Sequence, residues 1–138
     1  MAIVICKGTV YKQTISASLT AVAQVISLDE SGCEALTFDS TTLDNSSPYK
    51  SYSHTGYSEP GELSGELFYD PALSGHKFFA TLITTPVTNA QQILFADSGV
   101  TTKSFTGVGM AWGYTVDMND GLKAKFKTKI TGSPGWPT

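Results

Sequence analysis

Leu122-Lys123-Ala124-Lys125-Phe126-Lys127-Thr128-Lys129-Ile130 alternates apolar or small residues with lysine without a break. A period of two is the spacing of a β-strand, whose successive side chains point to opposite faces of a sheet. One face can bury Leu122, Phe126 and Ile130. The other carries four ammonium groups, nearly half of the nine basic residues in the chain. On a helix the same residues would spread lysine around the circumference and leave no apolar face to bury. Two readings of the cationic face stand side by side. It is a solvated outer surface, or an edge kept from promiscuous pairing by its charges; or it meets an acidic partner, which includes another copy of the chain.

Working outward, Asn119-Asp120-Gly121 supplies a tight turn and Thr101 to Tyr114 reads as a long strand, so the two strands predict a hairpin. Within that strand Val108, Met110, Trp112 and Tyr114 fall on one face, and Gly107, Gly109, Ala111 and Gly113 on the other. A glycine and alanine face admits close approach by a neighbour. Further upstream, Gln91 to Ala96 reads as a strand, followed by the turn Asp97-Ser98-Gly99. Gly61 to Tyr69 alternates again, with Leu63, Leu67 and Tyr69 opposite Glu62, Ser64 and Glu66. Gly8 to Thr14 and Leu19 to Leu28 are strands, and Cys33 to Phe38 is a weaker one.

Asp70-Pro71 predicts the opening of the one helix, about 71–83, with Asp70 as N-cap. Ala72, Leu73, His76, Phe79, Ala80 and Ile83 form its inner stripe, and Thr84-Thr85-Pro86 ends it. Residues 39–60 read as a long loop in which Leu43 is the only aliphatic residue, with Tyr49, Tyr52 and Tyr57 spread along it. A loop of that length in a compact domain is functional or disordered. Its tyrosines offer contact area to a partner, or they cap the domain's own core. The expected fold is mainly β, a sandwich or barrel, with one short helix and a long loop.

Composition narrows the function. The chain has 138 residues, 15% of them charged, a net charge of −3 and no arginine. That balance argues against a protein that grips nucleic acid through phosphates or reads bases with guanidinium forks. The start of the chain has no basic, long apolar leader and there is no apolar run of membrane-spanning length, so a soluble protein made in the cytoplasm is expected. Cys6 and Cys33 are expected to be free, buried thiols.

Chemistry is hard to place. His54 and His76 are the only histidines, and no metal-ligand spacing or acidic Ca²⁺ loop occurs, so no metal or cofactor is expected. Ser31-Gly32 and Ser98-Gly99 lack the flanking glycine of a nucleophile elbow. Gly107-x-Gly109 sits inside a strand and makes no nucleotide fingerprint. Glu62 and Glu66 share a strand face and could in principle act as a hydrolytic pair, though such pairs are usually wetted surface. The expectation is a protein that is not an enzyme.

The order of elements resembles the tail tube (major tail) proteins of long-tailed bacteriophages, which are related to the tube protein of type VI secretion. The stretches that carry this are the Gly8-Thr9 strand leading into Leu19–Leu28, Thr41-Thr42-Leu43-Asp44 opening a long loop, and Gly61-Glu62-Leu63-Ser64-Gly65-Glu66-Leu67 before a short helix. Ser104-Phe105-Thr106-Gly107 starts a strand, and Leu122–Ile130 followed by Thr131-Gly132-Ser133-Pro134 resembles the family's close. The resemblance implies one tail-tube domain over 1–138, with an N-terminal arm (1–7) and a C-terminal tail (131–138). It implies a virion structural protein whose copies form stacked hexameric rings, a hollow tube for double-stranded DNA, with other tail proteins as further partners and no membrane.

On this reading Leu43, Asp44, Tyr49, Tyr52, Tyr57, Lys123, Lys125, Lys127 and Lys129 are the candidate subunit and ring interface. Glu62 and Glu66 are candidate acidic groups of the bore, and the lysines face outward or pair with acidic groups of a neighbour. The alternative is a β-sandwich module that binds carbohydrate, with Tyr49, Tyr52, Tyr57 and Trp112 as stacking platforms.

Overall fold

The computed structural model describes residues 3–137. Met1 and Ala2 of the expected N-terminal arm, and Thr138 of the expected tail, lie outside the described residues. The elements are β1 (Val10–Ile15), β2 (Ser18–Ala21), β3 (Val25–Ser31), β4 (Glu34–Asp39), β5 (Tyr52–Glu59), β6 (Glu62–Phe68), α1 (Ser74–Thr84), β7 (Asn89–Leu94), β8 (Thr102–Asp117) and β9 (Gly121–Thr131). Seven strands form one antiparallel sheet in the order β2-β1-β7-β8-β9-β6-β3, and β4 and β5 form a separate two-stranded ribbon.

The two edge strands of the large sheet, β2 and β3, are consecutive in sequence and joined only by Val22, Ala23 and Gln24. So short a link reaches no more than about 15 Å, so the sheet must roll until its two ends meet at that corner. Hydrogen bonds hold the corner from both sides: Val22 N–H donates to the Tyr11 carbonyl at 2.9 Å, and Phe68 N–H donates to the Gln24 carbonyl at 3.0 Å. The fold is thus mainly β and barrel-like, as expected, but it is one rolled, open sheet.

Inside the roll Tyr11, Leu63, Leu67, Phe79, Phe105, Phe126 and Ile130 form the core. Phe126 stands at its centre, stacked on Tyr11 at 5.3 Å and on Phe79 at 5.0 Å between ring centroids. Gly65 lies directly opposite Phe126 in the β6–β9 ladder. A Cβ on Gly65 would come within 2.5 Å of the Phe126 ring, so only glycine leaves that ring its place.

Several expectations need correcting. The run Leu19–Leu28 is two strands, because the chain turns the corner at Gln24, whose φ is +65. The loop 39–60 is shorter: Glu34–Asp39 and Tyr52–Glu59 pair as the β4–β5 ribbon, and only residues 40–51 connect them. The helix begins at Ser74, after a turn in which the Asp70 carboxylate accepts from Ala72 N–H at 2.9 Å; Leu73, with no side-chain bond, holds the N-cap position. Its buried residues are His76, Phe79 and Leu82, while Ala80 and Ile83 face solvent. Cys6 and Cys33 are free but exposed. Among the described residues, no helix is long and apolar enough to cross a membrane.

Candidate functional site: two free strand edges and a charged face

Lysines occupy one face of β9 as the alternation predicts: Ala124, Phe126, Thr128 and Ile130 are buried and Lys125, Lys127 and Lys129 are exposed. The candidate bore glutamates lie on β6, the strand next to the lysines. In the β6–β9 ladder Glu62 stands opposite Lys129, Ser64 opposite Lys127, and Glu66 opposite Lys125. Residues directly opposite share a face, so Glu62, Glu66 and the lysines belong to one surface. Lys127 reaches diagonally to Glu62 at 2.8 Å. Lys123, opposite Phe68, lies over that ring at 5.6 Å. Asp29 of β3 and Ala111 and Gly113 of β8 extend the same surface, which holds a shallow cleft of about 450 Å³.

β8 changes character halfway along. Its first part, Thr102–Gly107, pairs with β7, β9 joins on the other side from Thr106 onward, and from Val108 on β8 pairs only with β9. A β-bulge marks the change: Val108 opposes Lys129 and Ala111 opposes Lys127, one residue too many, with Gly109 at φ +72. The bulge shifts which side chains point inward. Lys103, Phe105 and Gly107 are buried before it, and Met110 and Trp112 pack on the core after it, while Val108 is exposed. The predicted single face Val108-Met110-Trp112-Tyr114 is therefore broken at Gly109.

Past the bulge the inward stripe runs out of the molecule. Trp112 stacks on Phe79 at 4.8 Å, and Tyr114 touches Tyr69 at 4.9 Å; the Tyr114 hydroxyl, then burial, raises the Tyr69 hydroxyl above its ordinary range. Exposure then climbs along the stripe, from 54% at Tyr114 to 84% at Val116 and 97% at Met118. Because Trp112 packs inside, it is not available as a stacking platform for a sugar.

The opposite end of the four-stranded portion β8-β9-β6-β3 is β3, which pairs only with β6. Beside β3 runs a groove of about 540 Å³ lined by Val25, Leu28, Leu63, Ile93 and Phe95, with Cys6 also bounding it. Glu30 fixes β3 from within. Its carboxylate pairs tightly with the buried Lys103 ammonium of β8, across the roll, and the Trp136 ring of the tail covers that ammonium at 4.1 Å. His76 fixes the corner: Nδ1 accepts from Asp70 N–H at 3.0 Å, so Nε2 carries the proton and donates to the Ala23 carbonyl at 2.7 Å.

The ribbon is the third exposed feature. Leu43, Tyr49, Tyr52 and Tyr57 are all exposed, so the tyrosines do not cap the core. Asp44 accepts from the Thr42 hydroxyl, and the Asp39 carboxyl is held below its usual range by hydrogen bonds from Thr41. Sequence reasoning missed Glu30, Lys103, the β3 groove and the Val116-Met118 tip. Only the tip carried a signal, two apolar residues beside an Asn-Asp-Gly turn.

Among the described residues, a rolled antiparallel sheet carries one helix and open strand edges, and no group of His, Cys, Asp or Glu is placed to hold a metal ion. The chain belongs to the lambda phage tail tube protein family, whose profile matches residues 3–137. It is therefore a structural protein of the virion tail, and its family points to a non-enzymatic role. No curated protein matches. Among solved structures, the fold is similar to a chain of the tail of an empty gene transfer agent particle with C6 symmetry, at TM-score 0.68 and 15% identity over 90% of this chain and 91% of that one. It is similar to a chain of the six-fold symmetrised anti-feeding prophage baseplate, at TM-score 0.67 and 11% identity over 96% and 94%. A third likeness is to the SPP1 tail tube, at TM-score 0.63 and 8% identity over 94% and 77%.

Proposed function

We propose that the 138 residues act as one tail-tube domain whose copies join edge to edge into six-membered rings. The free edge of β3 in one copy takes the distal edge of β8, beyond the bulge, from the next. The observation that carries this is the apolar stripe Tyr114-Val116-Met118, which leaves the core unburied beside a free backbone edge. The groove beside β3 offers the complementary apolar wall. Pairing the two edges satisfies both ladders and covers the stripe, whereas left open they would invite unspecific aggregation. Six-fold arrangement is supported by the C6 and six-fold symmetry of the gene transfer agent tail and the anti-feeding prophage baseplate.

Core and helix occupy one side of the four-stranded portion, so a ring closed through these edges turns its other side, the lysine and glutamate face, towards the bore. Double-stranded DNA passes along that face. Leu43, Asp44, Tyr49, Tyr52 and Tyr57 of the ribbon reach the adjoining ring and stack one ring upon another. Sedimentation of Val116→Asp/Met118→Asp tests the edge joint. Both side chains are solvent-exposed, so the monomer stays folded while assembly at high concentration disappears. Assembly indistinguishable from the unaltered protein would refute it.

A further inference from the structure

Four lysines recur along β9 at every second residue, about 6.8 Å apart. A DNA duplex carries one charge about every 1.7 Å of its axis, so a bare row of this kind would meet phosphates at each step and hold them. The row is not bare. Glu62 stands between Lys129, opposite it, and Lys127, bonded to it at 2.8 Å; Glu66 stands opposite Lys125. Cross-strand partners have Cβ atoms about 5 Å apart, inside the screening length of about 8 Å at physiological salt. A phosphate approaching the face therefore meets carboxylates set among the cations: Lys127 is paired with Glu62, and Lys125 and Lys129 each stand opposite a glutamate. Asp29 adds a third carboxylate one strand further on, across from Ser64. Lys123 is drawn aside over Phe68.

We propose that Glu62 and Glu66 mask the lysine row of β9, so that this face slides past double-stranded DNA without retaining it and becomes a DNA-binding surface once the two carboxylates are neutralised. The proposal rests on the bore-facing assignment above for its biological meaning, but the masking itself is a property of the single chain. It also explains how a cationic strand is compatible with a DNA conduit. The lysines do not need to be turned away, because the next strand supplies their counter-charges.

The test is retention of a linear double-stranded DNA fragment by purified protein, in a gel-shift series from low to physiological salt. The unaltered protein leaves the fragment free. Glu62→Gln/Glu66→Gln shifts it at low salt, with affinity at least about tenfold higher, and loses it steeply as salt rises. Adding Lys125→Ser/Lys127→Ser/Lys129→Ser abolishes the shift. Glu34→Gln/Glu59→Gln, on the ribbon, changes the net charge by the same two units but leaves the fragment free. Circular dichroism confirms that each variant is folded, and Glu66→Gln alone gives a smaller shift of the same sign. Retention by the unaltered protein, no retention by Glu62→Gln/Glu66→Gln, or equal retention by the ribbon control each overturns the proposal. Tube formation is scored separately by electron microscopy. DNA retention without tubes leaves the mask standing and sinks the tube reading, and tubes with unchanged DNA retention do the reverse.

Discussion

The rolled sheet and the β4–β5 ribbon use the same antiparallel ladder, yet they treat their side chains in opposite ways. In the sheet, alternate residues of β9 and β6 disappear into a core of stacked rings around Phe126. In the ribbon neither face is buried, and an isolated two-stranded ribbon is marginal in water. Local polar bonds hold its tip instead: Ser51 N–H donates to the Thr41 hydroxyl at 2.7 Å, and Ser40 N–H donates to the Ser51 carbonyl at 2.9 Å. The distal β8–β9 hairpin lies between these extremes, ladder-paired on one side and apolar but uncovered on its inward face. One part of the molecule buries its apolar side chains within the monomer, and the other parts leave theirs exposed.

That contrast breaks most sharply at the core. Phe126→Ala should lower stability by about 4 kcal/mol in a urea titration, because it removes the ring shared by Tyr11 and Phe79. Glu30→Gln comes next. It strands the buried Lys103 ammonium and should cost about 3 kcal/mol, while Glu30→Met/Lys103→Met recovers most of that loss. If Glu30→Gln were neutral, β3 would not be fastened by this pair.

On the ribbon the sign of the contrast reverses. Tyr52→Ala/Tyr57→Ala should change monomer stability by no more than about 0.5 kcal/mol, yet weaken ring stacking in sedimentation. A large loss of monomer stability would mean that the ribbon packs on its own domain. The smallest effect concerns the turn before β8. The Thr101 hydroxyl and then its N–H hold the Asp97 carboxyl below its ordinary value of 3.8. A folded value below the unfolded one gives stability that is present above about pH 4 and lost as pH falls through the folded value. Thr101→Val should therefore move the Asp97 titration upward in an NMR pH series, and should leave the ribbon's resonances unchanged.

What the sequence revealed follows the same division. β9, β6 and the Asn119-Asp120-Gly121 hairpin were legible because one face is buried and the other wet, which imprints a period of two. In the ribbon, β4 shows only as the weaker strand Cys33–Phe38, and β5 reads as loop because both its faces are wet, so Ser, Thr, Tyr and His follow one another with no apolar alternation. The break inside Leu19–Leu28 carries no glycine or proline, as Gln24 itself takes the left-handed conformation. The bulge was hidden among four small residues, Gly107, Gly109, Ala111 and Gly113, any of which could have held it. The Glu30–Lys103 pair joins residues 73 apart in the chain, a distance no periodicity reports.

The most direct measurement is an electron-microscopic reconstruction of the protein concentrated until it assembles. It should reveal β3 of each subunit laddered to Trp112–Asp117 of the next around a six-fold axis, with the lysine and glutamate face towards the hole. Particles that remain single at every concentration and salt, or rings held through the helix with both strand edges bare, would contradict it.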